Sequence, residues 1–358
     1  MTTRDLSPPS RQAVTATDVA RLAGVSQSAV SRAFTPGASI AQGTRRRVLE
    51  AACELGYRPN AIARSLTTRR SRIIGVAASY LQNLFYPDVL EALSRRLRDR
   101  GYQVLLFTPE AGRHADPQLN EVLDWRVDAL ILASTTLSSA LATQCHSAGI
   151  PVLLFNRTSR AANISSVTGE NIRGGRLIAQ FLVTGKHRRL AFLAGIENSS
   201  TSRDRERGFS SWLTENRQPP PLREVGQYRF EDAGEATRRL LSRPDRPDAI
   251  FCANDHMAVA ALEVARHEFR LKIPRDLSIV GFDDTKPAAW PSMSLTSFAQ
   301  PLLPMVDATV EMVCAMIDDP AMATRHEVVS GELVLRRSAR RPAQGCVIQD
   351  GRTIWRPS

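Results

Sequence analysis

From Ile73 onward the chain alternates short, almost wholly apolar runs with stretches of helical period. The runs are IIGVAA at 73–78, YQVLLF at 102–107, ALILA at 129–133, IPVLLF at 150–155, RLAFLAG at 189–195, AIFCA at 249–253 and LSIVGF at 277–282. A strand that is apolar at nearly every position has no face to show to water, so it belongs inside a sheet covered on both sides. Helices expected over 87–100, 138–148, 171–183 and 204–215 supply the covers, and strands separated by such helices run parallel. The pattern restarts after Gly169, which predicts an α/β fold of two doubly wound lobes. In folds of this kind ligands sit outside the carboxyl ends of the strands.

The first part of the chain obeys a different rule. Residues 15–34, TATDVARLAGVSQSAVSRAF, read as two short helices joined by a tight turn. Thr17, just before Asp18, is the expected N-cap of the first helix; Gly24 ends it and Ser26 caps the second. On the second helix Ala29, Val30 and Ala33 share an inward face by 3.6-residue spacing. Gln27, Ser28, Ser31 and Arg32 point the other way, a set of hydrogen-bonding groups and one planar guanidinium suited to base edges in a DNA major groove. Residues 44–55 supply a third helix with Val48, Ala52 and Leu55 on one side. Up to Arg72 there are twelve arginines and four acids, so a fifth of the chain holds +8 of its net +11. Charge concentrated in this way implies a polyanionic partner.

Three ordered motifs, DVARLAGVSQSAVSRAF, TRRRVLEAACELGYRPNAIARSL and RIIGV, closely resemble the lactose/galactose repressor family (LacI/GalR), and further family motifs recur to about Arg341. The resemblance implies a helix-turn-helix headpiece, a hinge helix and a two-lobed, periplasmic-binding-protein-like core whose chain crosses between lobes three times. The expected domains are a disordered tail (1–13), the headpiece (14–58), the hinge helix and linker (59–72), the effector-binding and dimerisation core (73–341) and a C-terminal tail (342–358). Within the core the first lobe is expected over 73–168 and 292–328 and the second over 169–291 and 329–341, with crossings near Gly169, Trp290 and Val329. Operator contacts are expected from Thr15, Thr17, Ser26, Gln27, Ser28, Ser31 and Arg32. In the linker, NAIARSL at 60–66 is long enough for only about two helical turns, which do not hold alone in water. The resemblance implies that it orders by pairing with its dimer mate in the minor groove, with Leu66 as an apolar wedge, Asn60 and Ala63 facing the groove and Arg64 adding charge.

The loops that follow strands place Asn83, Phe85 and Tyr86 after the first, Asn156 and Arg157 after the fourth, Asn254 and Asp255 after AIFCA, and Asp283 and Asp284 after SIVGF. Arg205 lies in SRDRERGF, and Tyr228 is a further candidate for the pocket wall. A guanidinium, a carboxylate, amides and flanking aromatics suit a small polyol or acidic metabolite. By resemblance, Arg205 and Asp283 match the family's effector-binding pair, Phe85 and Tyr86 the aromatics that stack on ligand, and Asn254 a polar pocket position. Plainer roles compete: Asp255 as an N-cap, Asp284 for loop amides, Arg157 in an inter-lobe ion pair. The chain also departs from the family pattern. Asn156 stands where an aspartate is frequent, which weighs against a neutral sugar held by paired carboxylates. Glu170 replaces a usual aspartate, and Ala41 lacks a hydroxyl or acidic cap, a loss of roughly 1 kcal/mol.

Other classes find less support. The five cysteines are far apart without a CxxC pair, the six histidines show no metal-ligand spacing, and no cofactor is expected. There is no secretory signal and no apolar run long enough to span a bilayer, so a cytoplasmic protein is expected. A solute-binding transport protein would need an export signal and no headpiece. HExxH, GxSxG and GxxxxGK[ST] are all missing, which disfavours an enzyme. The expectation is a ligand-responsive repressor that binds a pseudo-palindromic operator as a homodimer, with activation or corepressor logic as the alternative. The apolar face Val89, Leu90, Leu93 and Leu97 is expected to serve both core and dimer interface, while the tail after Arg341 has no leucine heptad for tetramer formation. Leu66→Ala is expected to weaken operator binding and reduce the DNA bend while leaving small-molecule binding intact, because a minor-groove wedge unstacks a base step and holds the bend. Fluorescence anisotropy and a bend assay on one operator check this; unchanged affinity with an unchanged bend would remove the wedge assignment.

Overall fold

The computed structural model describes residues 14–35, 37–58, 70–79, 81–108, 122–133, 139–159 and 164–357. The chain divides between Ser71 and Arg72 into two compact units. The expected tail 1–13 and the hinge positions Asn60, Ala63, Arg64 and Leu66 lie outside the described residues.

The first unit holds three helices, α1 (Ala16–Ala23), α2 (Gln27–Ala33) and α3 (Gln42–Leu55). Val19, Val30 and Val48 meet at its centre with Ala20, Ala23, Ala33, Ala51 and Ala52 around them. The N-cap of α1 is Thr15, not Thr17. Thr15 Oγ1 accepts from Asp18 N at 3.4 Å, and Asp18 Oδ2 accepts in return from Thr15 N at 3.0 Å. That reciprocal arrangement needs an acceptor three residues after the cap, which Asp18 is for Thr15; Thr17 is left exposed in the first turn. Ser26 caps α2 through Ala29 N at 3.2 Å, and Gly24 takes φ 62° in the turn between. Ala41 starts α3 without a side-chain cap. Arg45 fastens that helix to the end of α2 by donating to Ala33 O at 2.9 Å and Ala38 O at 3.2 Å.

The second unit contains two sheets. The first has the order β11-β5-β4-β3-β1-β2, built from β1 (Ile73–Ala78), β2 (Gln103–Phe107), β3 (Ala129–Ala133), β4 (Val152–Phe155), β5 (Ser165–Gly169) and β11 (His326–Val329). All its pairings are parallel. Along β3, Ala129, Ile131 and Ala133 face one apolar cluster and Leu130 and Leu132 the other, so period-two alternation sends the strand into two cores at once. The first core is covered by α4 (Phe85–Asp99) and α10 (Leu302–Asp318); α5 (Ser139–Ser147) lies on the other face, where its Cys145 joins the second core. Val89, Leu93 and Leu97 of α4 are fully buried within this unit's own core, against Met305, Val306 and Val313 of α10. They therefore cannot also face a second copy, and of that expected interface row only Leu90 remains partly exposed.

The second sheet has the order β13-β14-β12-β10-β9-β8-β6-β7. Its parallel part is β6 (Leu190–Ala194), β7 (Leu222–Val225), β8 (Ala249–Cys252), β9 (Ser278–Asp283) and β10 (Thr296–Ala299), covered by α6 (Asn171–Thr184), α7 (Ser200–Glu215), α8 (Phe230–Leu241) and α9 (Asp255–Glu263). Phe192, Phe209 and Phe251 pack ring to ring at 5.1–6.2 Å inside it. β10 corrects the expected second crossing. It pairs in parallel with β9, so the chain stays in this sheet to Ala299 and leaves at Gln300–Pro301 rather than near Trp290. Its residues Thr296 and Ser297 are polar yet fully buried, because Thr296 N donates to Ser338 Oγ at 2.8 Å and Ser297 Oγ to Asp255 Oδ1 at 2.5 Å. The other two crossings fall between β5 and α6 and between β11 and β12 (Glu332–Val334).

The C-terminal segment is part of this sheet and not a separate tail. β13 (Cys346–Gln349) and β14 (Arg352–Trp355) form a hairpin around Asp350-Gly351, both with positive φ, and β14 pairs antiparallel with β12. That two-residue turn favours an Asp-Gly pair because both central residues need φ > 0. Trp355 is 3% exposed, meets Phe181 of α6 edge to face at 5.6 Å and donates its indole N–H to Gln344 O at 3.1 Å. Among the described residues no helix is long and apolar enough to cross a membrane. Trp355→Ala should lower unfolding stability by about 3–5 kcal/mol through the cavity it leaves beside Phe181. Urea denaturation followed by circular dichroism checks this, and a loss below about 1 kcal/mol would mean that the hairpin is not packed in solution.

Candidate functional site

On the headpiece, Gln27, Ser28, Ser31 and Arg32 are all exposed along one side of α2, while Ala29, Val30 and Ala33 are buried on the other. Ser26 is engaged at the cap, where Ser28 Oγ also approaches its hydroxyl at 2.9 Å. Thr15 and Thr17 are exposed at the start of α1, Thr15 with its hydroxyl donating to Asp18 at 2.7 Å. The structure thus presents one short helix with polar side chains exposed along its outer face, held by a capped N-terminus and by Arg45 at its end.

The second candidate lies between the two sheets of the core, where the ends of β4, β8 and β9 meet the first turns of α4, α7 and α9. Its lining is Asn83, Tyr86, Asn156, Arg157, Thr201, Arg205, Tyr228, Asn254 and Asp283. Arg205 is at its centre and is 2% exposed. Its Nε donates to Asn171 Oδ1 at 2.8 Å, one terminal nitrogen donates to Ala253 O, and the other lies 3.2 Å from Asp283 Oδ1. Its guanidinium also stands 3.7 Å above the Phe282 ring. Two glycines allow this. A Cβ on Gly175 would come within 2.2 Å of Arg205 O, and one on Gly208 within 2.0 Å of Ile172 O, so α6 and α7 touch backbone to backbone.

Asp283 is fixed from several sides. Gln300 Nε2 donates to its Oδ1 at 2.7 Å, and Asn83 of the first lobe reaches it as well. Burial pushes its carboxyl above the ordinary range, against the pull of Arg205, Gln300 and Asn83. Burial likewise raises the phenol of Tyr86. Tyr228 OH and Thr201 Oγ1 are 3.1 Å apart, and Thr201 Oγ1 is 2.7 Å from Ser199 Oγ. Three lining residues have left-handed backbones: Asn156 at φ 54°, Tyr228 at φ 60° and Asp283 at φ 111°. Asn156 Oδ1 and Asn254 Nδ2 are buried without a hydrogen-bond partner among the described residues.

Several residues sit differently from expectation. Phe85 does not line the cleft. It opens α4 with its ring turned inward, stacked on Phe155 at 6.5 Å and edge-on to Tyr86 at 5.5 Å, because successive helical residues point in different directions. Thr201 was missed because α7 starts at Ser200, four residues before the expected 204, with Ser199 as its cap. The Ser199-Ser200-Thr201-Ser202 run was the available signal. Asn254 is the N-cap of α9, through Met257 N at 3.0 Å, and Asp255 instead accepts from Ser297 Oγ, Thr285 N and Thr285 Oγ1. Asp284 turns away to Arg336 at 2.6 Å. Arg157 donates to Ser199 across the lobes, and Thr158 N donates to Ser200 Oγ at 3.0 Å beside it. An exposed ion pair, Lys286–Asp88 at 2.6 Å, adds a further inter-lobe link to these and to Asn83–Asp283. With the lobes drawn together, only about 20 Å³ of the cleft is open to the centre of a water molecule, room for one or two waters. Among the described residues no His, Cys, Asp or Glu group could hold a metal ion.

Residues 15–60 match the family described as bacterial regulatory proteins, lacI family, and residues 179–339 match the periplasmic binding protein-like domain. The chain is similar to the catabolite control protein A of Priestia megaterium, 30% identical over 81% of this chain and 88% of that protein. It is also similar to the ribose operon repressor of Escherichia coli K12, 28% identical over 90% of this chain and 98% of that protein. The lac repressor dimer bound to operator and the anti-inducer ONPF superposes with a TM-score of 0.81, at 28% identity over 91% of this chain and 99% of that one.

Arg205→Ala leaves the Asp283 carboxylate buried without its cation and should destabilise the core by roughly 3–5 kcal/mol. Adding Asp283→Asn in the same chain should recover a large part of that loss. A double-mutant cycle by urea denaturation reads the coupling; additive losses would mean the two side chains do not pair.

Proposed function

The chain belongs to the LacI family of bacterial regulatory proteins, and we propose from its cleft that it is a repressor whose operator affinity is set by a small polar metabolite bound between the lobes. As a member of that family it is a DNA-binding transcriptional regulator and not an enzyme. It binds operator DNA as a homodimer and responds to a small-molecule effector. We infer a cytoplasmic location from the same kinship.

The observation that carries the effector class is the chemistry left open in the cleft. Asn156 Oδ1 offers an acceptor and Asn254 Nδ2 a donor, both buried, beside the hydroxyls of Thr201 and Tyr228 and the Arg205–Asp283 pair. A buried polar atom without a partner costs about 1–3 kcal/mol, which a ligand hydroxyl or amide can return. A mixed donor and acceptor set around a balanced ion pair suits a neutral or weakly acidic polyol, a sugar or sugar acid, better than a strong anion. The operator face in this reading is Gln27, Ser28, Ser31 and Arg32, with Thr15, Thr17 and Ser26 near the phosphates.

The switch follows from the inter-lobe links. Admitting a ligand requires the lobes to part, and retaining it draws them together again, so occupancy changes the angle at the three crossings. In a dimer that angle sets the spacing of the two segments at residue 72 that lead to the headpieces. Swinging operator occupancy from nearly full to nearly empty takes about 5.5 kcal/mol of differential affinity.

The test uses the purified full chain and an operator selected from random duplexes. A thermal-shift panel of sugars, sugar acids and nucleobases should yield one class that raises the melting temperature and changes operator affinity in anisotropy. Asn254→Asp keeps the helix cap through Oδ1 but replaces the open donor by an acceptor, and should lose the ligand response while still binding DNA. A ligand that binds tightly and leaves operator affinity unchanged would sink the proposal.

A further inference from the structure

A second cavity, of about 390 Å³, opens on the side of the core where the chain crosses between lobes. It is separate from the cleft, and ordinary small-molecule sites begin at about this size. Its apolar lining includes Leu177 of α6 and Ile354 and Trp355 of β14, each less than a tenth exposed. Its rim carries three guanidiniums, Arg173, Arg352 and Arg356, with Glu332 as the acid among them. The C-terminal hairpin builds one wall, and the crossings at Gln300–Pro301 and Ser330–Gly331 build another.

The present partners of the rim arginines are weak ones. Arg173 meets Glu170 at 2.6 Å and donates to Gly331 O at 3.2 Å, Arg356 meets Glu332 at 3.0 Å and donates to Gln349 Oε1 at 2.5 Å, and Arg352 lies 3.7 Å from Asp284, with all three guanidinium side chains at least half exposed. Exposed ion pairs contribute little, about 0–1 kcal/mol, so a ligand carboxylate can replace them at small cost. Arginine forks bind carboxylates in two parallel hydrogen bonds, and the Trp355 ring in the lining favours a planar body beside them. Gln300 lines this cavity and is 6% exposed; its Oε1 is buried against Gly169 at the first crossing, without a hydrogen-bond partner among the described residues. Its Nε2 meanwhile donates to Asp283 in the cleft.

We propose that this hinge-side cavity is a second binding site, for a small organic anion with an aromatic or otherwise flat apolar body, and that Gln300 joins it to the cleft. An anion seated there touches two of the three crossings and the residue that holds Asp283. The site can therefore bias the lobe angle without competing for the cleft.

The experiment labels the full chain with 5-fluorotryptophan and follows its four tryptophans by fluorine NMR, the Trp355 signal being assigned with Trp355→Phe. Phthalate is the probe, with inorganic phosphate as the purely charged control. Phthalate should shift the Trp355 signal saturably and leave those of Trp125, Trp212 and Trp290 in place. The double variant Arg352→Gln, Arg356→Gln should weaken that response at least about tenfold, the equivalent of one lost charge-assisted hydrogen bond. No saturable shift, or a shift that survives the double arginine variant, overturns the site. An equal response to inorganic phosphate overturns the flat apolar class of ligand.

Discussion

A guanidinium can leave water only if its N–H groups and its charge are answered at once, and Arg205 is answered from three elements besides its own. Asn171 belongs to the start of α6, Ala253 to the end of β8, Asp283 and Phe282 to the end of β9, and Arg205 itself to α7. These contacts fix where the carboxyl ends of the second sheet stand relative to its covering helices. They also explain why α6 and α7 meet through Gly175 and Gly208: any Cβ there would drive the helices apart and pull the guanidinium from its partners. A buried pair of this kind is weak evidence for stability, since desolvation offsets most of the attraction. Its worth is positional. It holds charge, aromatic face and amides in one place, as a binding site needs.

Much of this was legible in the sequence because its signals were strong and local. Continuous apolar runs marked β1, β3, β4, β6, β8 and β9, and the small, polar pattern of 27–33 marked the outer face of α2. The failures have equally definite causes. β10 reads as polar because Thr296 and Ser297 are buried with their hydrogen bonds met inside the fold, which periodicity cannot see. β5, SSVTG, carries buried hydroxyls in the same way, whereas β7, LREV, is a short edge strand whose Arg223 and Glu224 reach the surface. The C-terminal hairpin had its signal in Asp350-Gly351, but with few apolar neighbours to support it. For the cleft, the strand-following loops pointed to Asn83, Tyr86, Asn156, Arg157, Asn254 and Asp283, the family resemblance to Arg205, and Tyr228 was a further candidate; all of these line one cavity. Phe85 failed because adjacency in sequence says nothing about which way a helical side chain turns.

The crossings give the core its one soft direction. Each sheet is closed on both faces by helices, so neither lobe deforms readily; the links between lobes are a handful of polar contacts and three single strands of chain. Gln300 sits at one of those strands with its side chain on Asp283, so a rotation at the crossing and a change at the cleft are felt by the same residue. Coupling of this sort needs no long chain of contacts, only a residue shared by the joint and the site.

The left-handed backbones at Asn156, Tyr228 and Asp283 have a consequence for how such a pocket can change over evolutionary time. A β-branched or bulky side chain at those angles is strained by about 1–3 kcal/mol, whereas asparagine, aspartate and glycine are tolerated. At 156 and 283, therefore, the accessible neighbours in sequence space are short polar residues or none at all. Descendants of this protein can trade amide for carboxylate there, altering charge and hydrogen-bond sense, but cannot easily fill the space with a hydrophobe. Drift toward apolar effectors would have to begin at positions with ordinary backbone, such as Thr201, and the diversification of its ligands is steered by dihedral angles as much as by selection on binding.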